Sequence, residues 1–154
     1  MCTVSWLIRP GGYEVFFNRD ERPSRPAHGP SLLHAEGTAY LAPHDDEAGG
    51  TWIAVNAFGV TVSMTNQYPQ PAPPRPKERT SRGLLLAALV GAQSLEQVHK
   101  RIRRLALERY EPFAIAAFEP EAPAAIYLWD GTDLGVEHHA EPGFVLTSSG
   151  ATPP

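Results

Sequence analysis

Met1-Cys2-Thr3-Val4-Ser5-Trp6-Leu7-Ile8-Arg9-Pro10-Gly11-Gly12-Tyr13-Glu14-Val15-Phe16-Phe17-Asn18-Arg19-Asp20-Glu21-Arg22 opens the chain, and its pattern decides the fold. Thr3 to Ile8 alternates and is rich in β-branched and aromatic residues, Arg9-Pro10-Gly11-Gly12 carries turn chemistry, and Tyr13 to Phe17 is a second apolar run. The pattern predicts a β-hairpin. Antiparallel pairing lays the start of its first strand beside the end of its second, so Cys2 falls next to Asn18, Arg19 and Asp20. A thiol, a guanidinium and a carboxylate then meet at one sheet end.

That meeting has a chemical reading. Initiator methionine is removed when the following residue is small, and removal here exposes an α-amine on the residue that carries the thiol. An ordinary α-amine titrates at about 7.7 to 8.0, so near neutral pH a useful fraction can accept the thiol proton. Arg19 beside the sulfur favours thiolate, and Asp20 is placed to orient the amine. On the plainer reading, Cys2 is an ordinary strand residue and Arg19 and Asp20 are solvated charges.

Outward from the hairpin, Pro23-Ser24-Arg25-Pro26-Ala27-His28-Gly29-Pro30 reads as a proline-studded loop over the site. Its Arg25 is a candidate contact for an anionic substrate group, with a solvent-facing arginine as the alternative. Leu32 to Leu41 has weak strand character. His44-Asp45-Asp46-Glu47 lacks metal-ligand spacing and reads as a solvated charge run, so no metal is expected. Thr51 to Asn56, a turn at Ala57-Phe58-Gly59, and Val60 to Thr65 form a second hairpin that ends at Asn66. An asparagine at a strand end can donate to an oxyanion, but on the residues alone Asn66 reads first as the start of a turn. Asn56 reads as a turn residue. Trp52 reads as core, and it is also a candidate substrate contact beside Asn18, Arg25 and Ser148.

Residues 67–80 form a Pro-rich extended loop or lid, and Arg75, Lys77, Arg79 and Arg82 make a basic patch around its end that reads first as a solubilising loop and, as the alternative, as a site for phosphate or carboxylate. Ser81 to Val90 predicts a buried helix. Ser94, with Gln97 three residues on, caps a second helix whose stripe is Leu95, Val98, Ile102, Leu105 and Ala106. Strands follow at Phe113–Phe118, Ala124–Trp129, Gly135–His138 and Phe144–Thr147. Of the pair His138-His139, one residue at most points into a site, because strand neighbours face opposite ways. Strands, helices, then strands again make an α+β domain.

Composition bounds the function. The length of 154 residues allows one domain, 1–154, with a real core. A net charge of −4 argues against a nucleic-acid partner. The single cysteine excludes an internal disulfide and a Cys-rich zinc site. No apolar run is long enough for a membrane span, and Val4 to Ile8 has no basic region ahead of it, so the expected location is cytoplasmic.

Met1-Cys2-Thr3, Asn18-Arg19-Asp20-Glu21 with Arg22, Ser24-Arg25-Pro26, Gly49-Gly50-Thr51-Trp52, Thr65-Asn66, Ser81-Arg82-Gly83-Leu84-Leu85 and Tyr110-Glu111-Pro112-Phe113 together resemble the NRDE family, the proteins similar to transport and Golgi organisation protein 2. A more distant resemblance is to the N-terminal nucleophile hydrolases of the choloylglycine hydrolase and penicillin V acylase group. It implies an αββα sandwich of two antiparallel sheets with flanking helices. It also implies a cysteine amidohydrolase for a non-peptide carbon–nitrogen bond of a small acyl substrate, with Cys2, Arg19, Asp20 and Asn66 catalytic. The group's second asparagine is matched by Ser148 in Val145-Leu146-Thr147-Ser148-Ser149, and its later arginine has no counterpart before Pro154. Relatives continue further, so the chain reads as a C-terminally truncated domain, a naturally short one or one shifted in frame near its end, with an open sheet either covered by a homodimer or left aggregation-prone. The resemblance also implies an alternative: a non-enzymatic binding or trafficking protein for haem or an acyl lipid. No cofactor is expected for the hydrolase.

Overall fold

The computed structural model describes residues 2–140 and 143–148. The opening hairpin forms as strands β1 (Thr3–Arg9) and β2 (Gly12–Asn18), with Thr3 opposite Asn18 and Trp6 opposite Val15. The chain continues through β3 (Ala27–Ala35), β4 (Thr38–Asp45), β5 (Ile53–Asn56), β6 (Thr61–Asn66), α1 (Arg82–Ala87), α2 (Leu95–Ile102), β7 (Phe113–Phe118), β8 (Ala124–Trp129), β9 (Leu134–His139) and β10 (Gly143–Thr147). All pairings are antiparallel and make two sheets, one of order β10-β1-β2 and one of seven strands in chain order from β3 to β9.

Alternation sorts the side chains into layers. Phe113, Ile115 and Ala117 of β7, with Ala125, Tyr127 and Trp129 of β8, meet Leu85, Leu86 and Leu89 around α1 and Val98 and Ile102 of α2. The intervening Ala116, Phe118, Ala124 and Ile126 face Val4 and Trp6 of the smaller sheet. β7 is buried along its whole length because both of its faces are covered. Trp6 meets Phe118 edge-on at 5.3 Å between ring centroids, and Tyr13 stacks on Phe118 at 5.3 Å. The protein is an α+β sandwich of two antiparallel sheets, and among the described residues its helices flank the larger sheet. The outer face of the smaller sheet exposes Phe16 and Leu7.

Three local expectations differ from the structure. Ala27 to Pro30, expected in a loop, enters β3, and the register shift between His28 and Ser31 absorbs the irregularity that Gly29 and Pro30 impose. Leu32 to Leu41 is a full hairpin, turned by Glu36 and Gly37 with φ of 51° and 78°, the consecutive left-handed pair of a type I′ turn. Helix α1 also stops short of Val90. There the buried Asn56 takes over, its Nδ2 donating to the carbonyls of Val90 (2.9 Å) and Ala92 (2.6 Å). Its Oδ1 accepts from the backbone N–H groups of Phe58 and Val60, so one side chain closes the β5–β6 turn and anchors the chain after α1. Ser94 caps α2 through the Gln97 N–H, while the Gln97 side chain accepts from the N–H of Gln93.

Candidate functional site

The strand ends converge on one cavity of about 360 Å³. Cys2 precedes β1, Arg19 follows β2, Asp45 ends β4, Trp52 precedes β5, Asn66 ends β6, and Arg82 begins α1; all six line it. The half-buried Cys2 is fixed from both neighbouring strands. Its carbonyl accepts from the Ser148 N–H at 3.1 Å, and its thiol donates to the Asp20 carbonyl at 3.8 Å. It is therefore the Asp20 backbone that meets the sulfur.

Asp45 is the hub of one wall. Its carboxylate receives Arg25 (Nη2 to Oδ2, 2.8 Å; Nε to Oδ1, 3.3 Å) and Arg19 (Nη2 to Oδ2, 3.3 Å). Backbone N–H groups of Glu47 and Ala48 complete the shell. Burial pushes the Asp45 pKa up, yet the Arg25 hydrogen bond, the Ala48 N–H and the Arg25 charge outweigh it and hold the carboxyl below its usual range. Burial likewise works against the Arg25 charge, but Asp45 more than compensates and raises its pKa. The guanidinium of Arg19 lies over the Trp52 ring, 4.2 Å from its centroid. Arg25 is further bridged to Glu21 at 2.9 Å and Glu47 at 3.6 Å.

The opposite wall has a different balance. Arg82 is largely but not fully buried, its side chain 13% exposed, and its Nη1 donates to the Pro112 carbonyl at 2.8 Å. Glu111 lies 3.7 Å from Arg82 and 2.8 Å from Arg79, so one carboxylate serves two arginines. Burial lowers the Arg82 pKa, with the Glu111 charge opposing. Asn66 also lines the cavity and donates through Nδ2 to the Tyr68 hydroxyl at 3.3 Å.

The sequence-based candidates thus divide. Cys2, Arg19, Asn66, Arg25 and Trp52 share the cavity. Asn18 does not: it pairs with Thr3, one residue out of phase with Cys2, and is exposed on the opposite face of the sheet. Ser148 is buried and contributes its backbone N–H to Cys2. Met1, and with it the α-amine reading, lies outside the described residues. Asp45, read from the sequence as part of a solvated charge run, and Arg79 and Arg82, read as part of a basic patch, also line the cavity, and so does Glu111, which carries no signal of its own in the sequence. His139, rather than reaching this site, packs against Trp6 with ring centroids 6.3 Å apart. No group of three or more metal-ligating side chains occurs among the described residues, and no described helix is long and apolar enough to cross a membrane.

Residues 1–152 match the family described as Transport and Golgi organisation 2. The solved structure of penicillin V acylase from Agrobacterium tumefaciens is similar at 11% identity and a TM-score of 0.48, over 96% of this chain and 44% of that one. This chain therefore spans less than half the length of that structure. No curated protein matches the sequence.

Proposed function

The chain belongs to the Transport and Golgi organisation 2 family, and from that premise we propose that it is an N-terminal-cysteine hydrolase cleaving a carbon–nitrogen amide bond of a small acyl substrate. The observation that carries the reading is the shared cavity of Cys2, Arg19 and Asn66, in which a thiol, a fixed positive charge and an amide donor face one space.

In this mechanism removal of Met1 frees the Cys2 α-amine. The amine takes the thiol proton as Sγ bonds to the acyl carbon. Arg19 cannot swing away to follow a substrate, because Asp45 and Trp52 hold it from two sides; its role is to favour thiolate. The Asn66 Nδ2–H group turns from the Tyr68 hydroxyl to the developing oxyanion. Collapse breaks the C–N bond, and the α-ammonium gives its proton to the departing amine. Water then attacks the thioester, the α-amine accepts its proton, and that proton passes to the sulfur as the carboxylic acid leaves. Loss of one oxyanion donor costs about a hundredfold to a thousandfold in such chemistry, so Asn66→Ala is expected to lower kcat by about that factor with little change in KM.

The test is intact-mass spectrometry of untagged protein before and after brief exposure to a limiting thiol-directed electrophile, with the adduct mapped. Loss of Met1 and rapid labelling of Cys2 near neutral pH are expected, as is abolished turnover in Cys2→Ala. Retained Met1, or a Cys2→Ala protein with full turnover on an identified substrate, would refute the reading.

A second reading, a non-enzymatic carrier of haem or an acyl lipid, draws support from an apolar groove of about 530 Å³ lined by Tyr13, Val15, Leu41, Ile53 and Val55. A saturable Soret shift on haem titration, lost in Leu41→Lys, would favour it.

A further inference from the structure

The charges on the two walls of the cavity do not balance alike. On the first wall Arg19, Arg22 and Arg25 face Asp45, Glu21 and Glu47, three against three, and Arg19, Arg25, Asp45 and Glu21 each have a partner within 3.3 Å. On the second, Arg79 and Arg82 share Glu111 alone, which leaves one positive charge in surplus. The surplus falls on Arg82. Its carboxylate neighbour is 3.7 Å away, beyond hydrogen-bond length, and bonds Arg79 instead at 2.8 Å. A guanidinium carries five N–H donors, and Arg82 spends one on the Pro112 carbonyl and has the Tyr68 hydroxyl beside it. A cation with its side chain only 13% exposed and with a shared and distant counter-charge is under-compensated by the protein's own groups.

We propose that Arg82, with Arg79 at the rim, is the anion-recognition element of the cavity, and that the ligand carries a single carboxylate which docks there while its amide carbonyl faces Cys2. This inference rests on the reading of the cavity as the substrate site. A carboxylate fits better than a phosphate monoester because one surplus charge matches a monoanion, whereas a dianion would leave net negative charge beside Glu111. Arg25, the arginine singled out from the sequence, is committed to Asp45, Glu21 and Glu47 and has no surplus to offer. Glu111 competes with the ligand for both arginines and so sets the affinity.

The test is calorimetric binding to full-length Cys2→Ala, which measures recognition without turnover. The probes are N-butanoylglycine, with its carboxylate on the amine side of the amide, N-butylsuccinamate, with its carboxylate on the acyl side, and the neutral N-butanoylglycinamide. At least one carboxylate probe is expected to bind ten or more times tighter than the neutral one, and whichever does so shows on which side of the amide the carboxylate lies. Arg82→Gln is expected to erase that preference, and Glu111→Gln to tighten the carboxylate probe several-fold. Should Arg82→Gln fail to fold, the Glu111→Gln result decides. Equal affinity for charged and neutral probes, weaker binding in Glu111→Gln, or inorganic phosphate displacing the carboxylate probe more effectively than acetate overturns the proposal. If these probes bind without preference while wild type labels at Cys2 and hydrolyses an uncharged amide, this inference alone has failed. If the preference holds but Met1 is retained, the hydrolase reading alone has failed.

Discussion

Asp45 shows what one residue contributes here. Its carboxylate holds Arg19 in the wall of the cavity that Cys2 also lines and ties the loop after β2 to the end of β4, so it supports both site geometry and stability. Removing one member of a largely buried ion pair strands the other, which costs about 3 kcal/mol. Asp45→Asn is therefore expected to lose about that much in urea denaturation at pH 7. The pH dependence fixes the cause. Because the folded carboxyl titrates below its unfolded value of about 3.9, its stabilisation is complete above that value and fades as the pH falls through the lower folded pKa. The gap between wild type and Asp45→Asn should narrow below pH 4; a gap that stays constant would assign the loss to packing.

At the scale of elements, turns and short contacts set where the site residues stand. Gly50 has φ of +89°, and a Cβ there would lie 2.4 Å from the Gly83 carbonyl carbon at the start of α1. Gly50→Ala is expected to cost at least about 2 kcal/mol from strain and from displacing the first turn that carries Arg82, measurable as a lowered Tm together with weakened carboxylate binding. Asn56→Asp changes one atom. It keeps the two acceptor bonds to Phe58 and Val60 but sets a carboxylate oxygen against the Val90 and Ala92 carbonyls, so a loss of about 3 kcal/mol is expected. A loss under 0.5 kcal/mol would show that the staple is dispensable. These elements differ in how far the sequence reveals them. β1, β2, β5 to β8 and α2 declare themselves through alternation, a 3.6-residue stripe or a capping residue, all of them local signals. The β3–β4 hairpin hides behind Gly29 and Pro30, which usually break strands and here sit at a register shift. Asn56 looks like a turn former because its role after α1 depends on residues 34 and 36 positions away.

Across the whole molecule, the two sheets carry different halves of the site. Cys2 belongs to the smaller sheet, whereas Asn66, Arg82 and Glu111 belong to the larger sheet and its helix layer. The sequence foretells the first half because Cys2 and Arg19 are brought together by one hairpin. It does not reveal the ion pairs of Asp45, which reads as one of a solvated charge run, or of Glu111, because those pairings span long stretches of chain and follow no local period. The alignment of the halves then depends on inter-sheet packing, through Val4, Trp6, Phe118 and the Tyr13 hydroxyl, which donates to the Gly59 carbonyl and lies 2.8 Å from Thr61 Oγ1. Tyr13 does not line the cavity, so Tyr13→Phe tests that dependence without touching the chemistry. The ring keeps its stack on Phe118 and only the hydroxyl is lost, at a cost of about 1 kcal/mol. If the packing holds the two halves in register, Tyr13→Phe slows acylation of Cys2 by a bound amide while carboxylate affinity at Arg82 stays within about twofold, because Arg82, Arg79 and Glu111 all belong to one layer. Equal loss in both would mean that the mutation had loosened the larger sheet, and no loss in either would mean that the apolar contacts alone set the alignment.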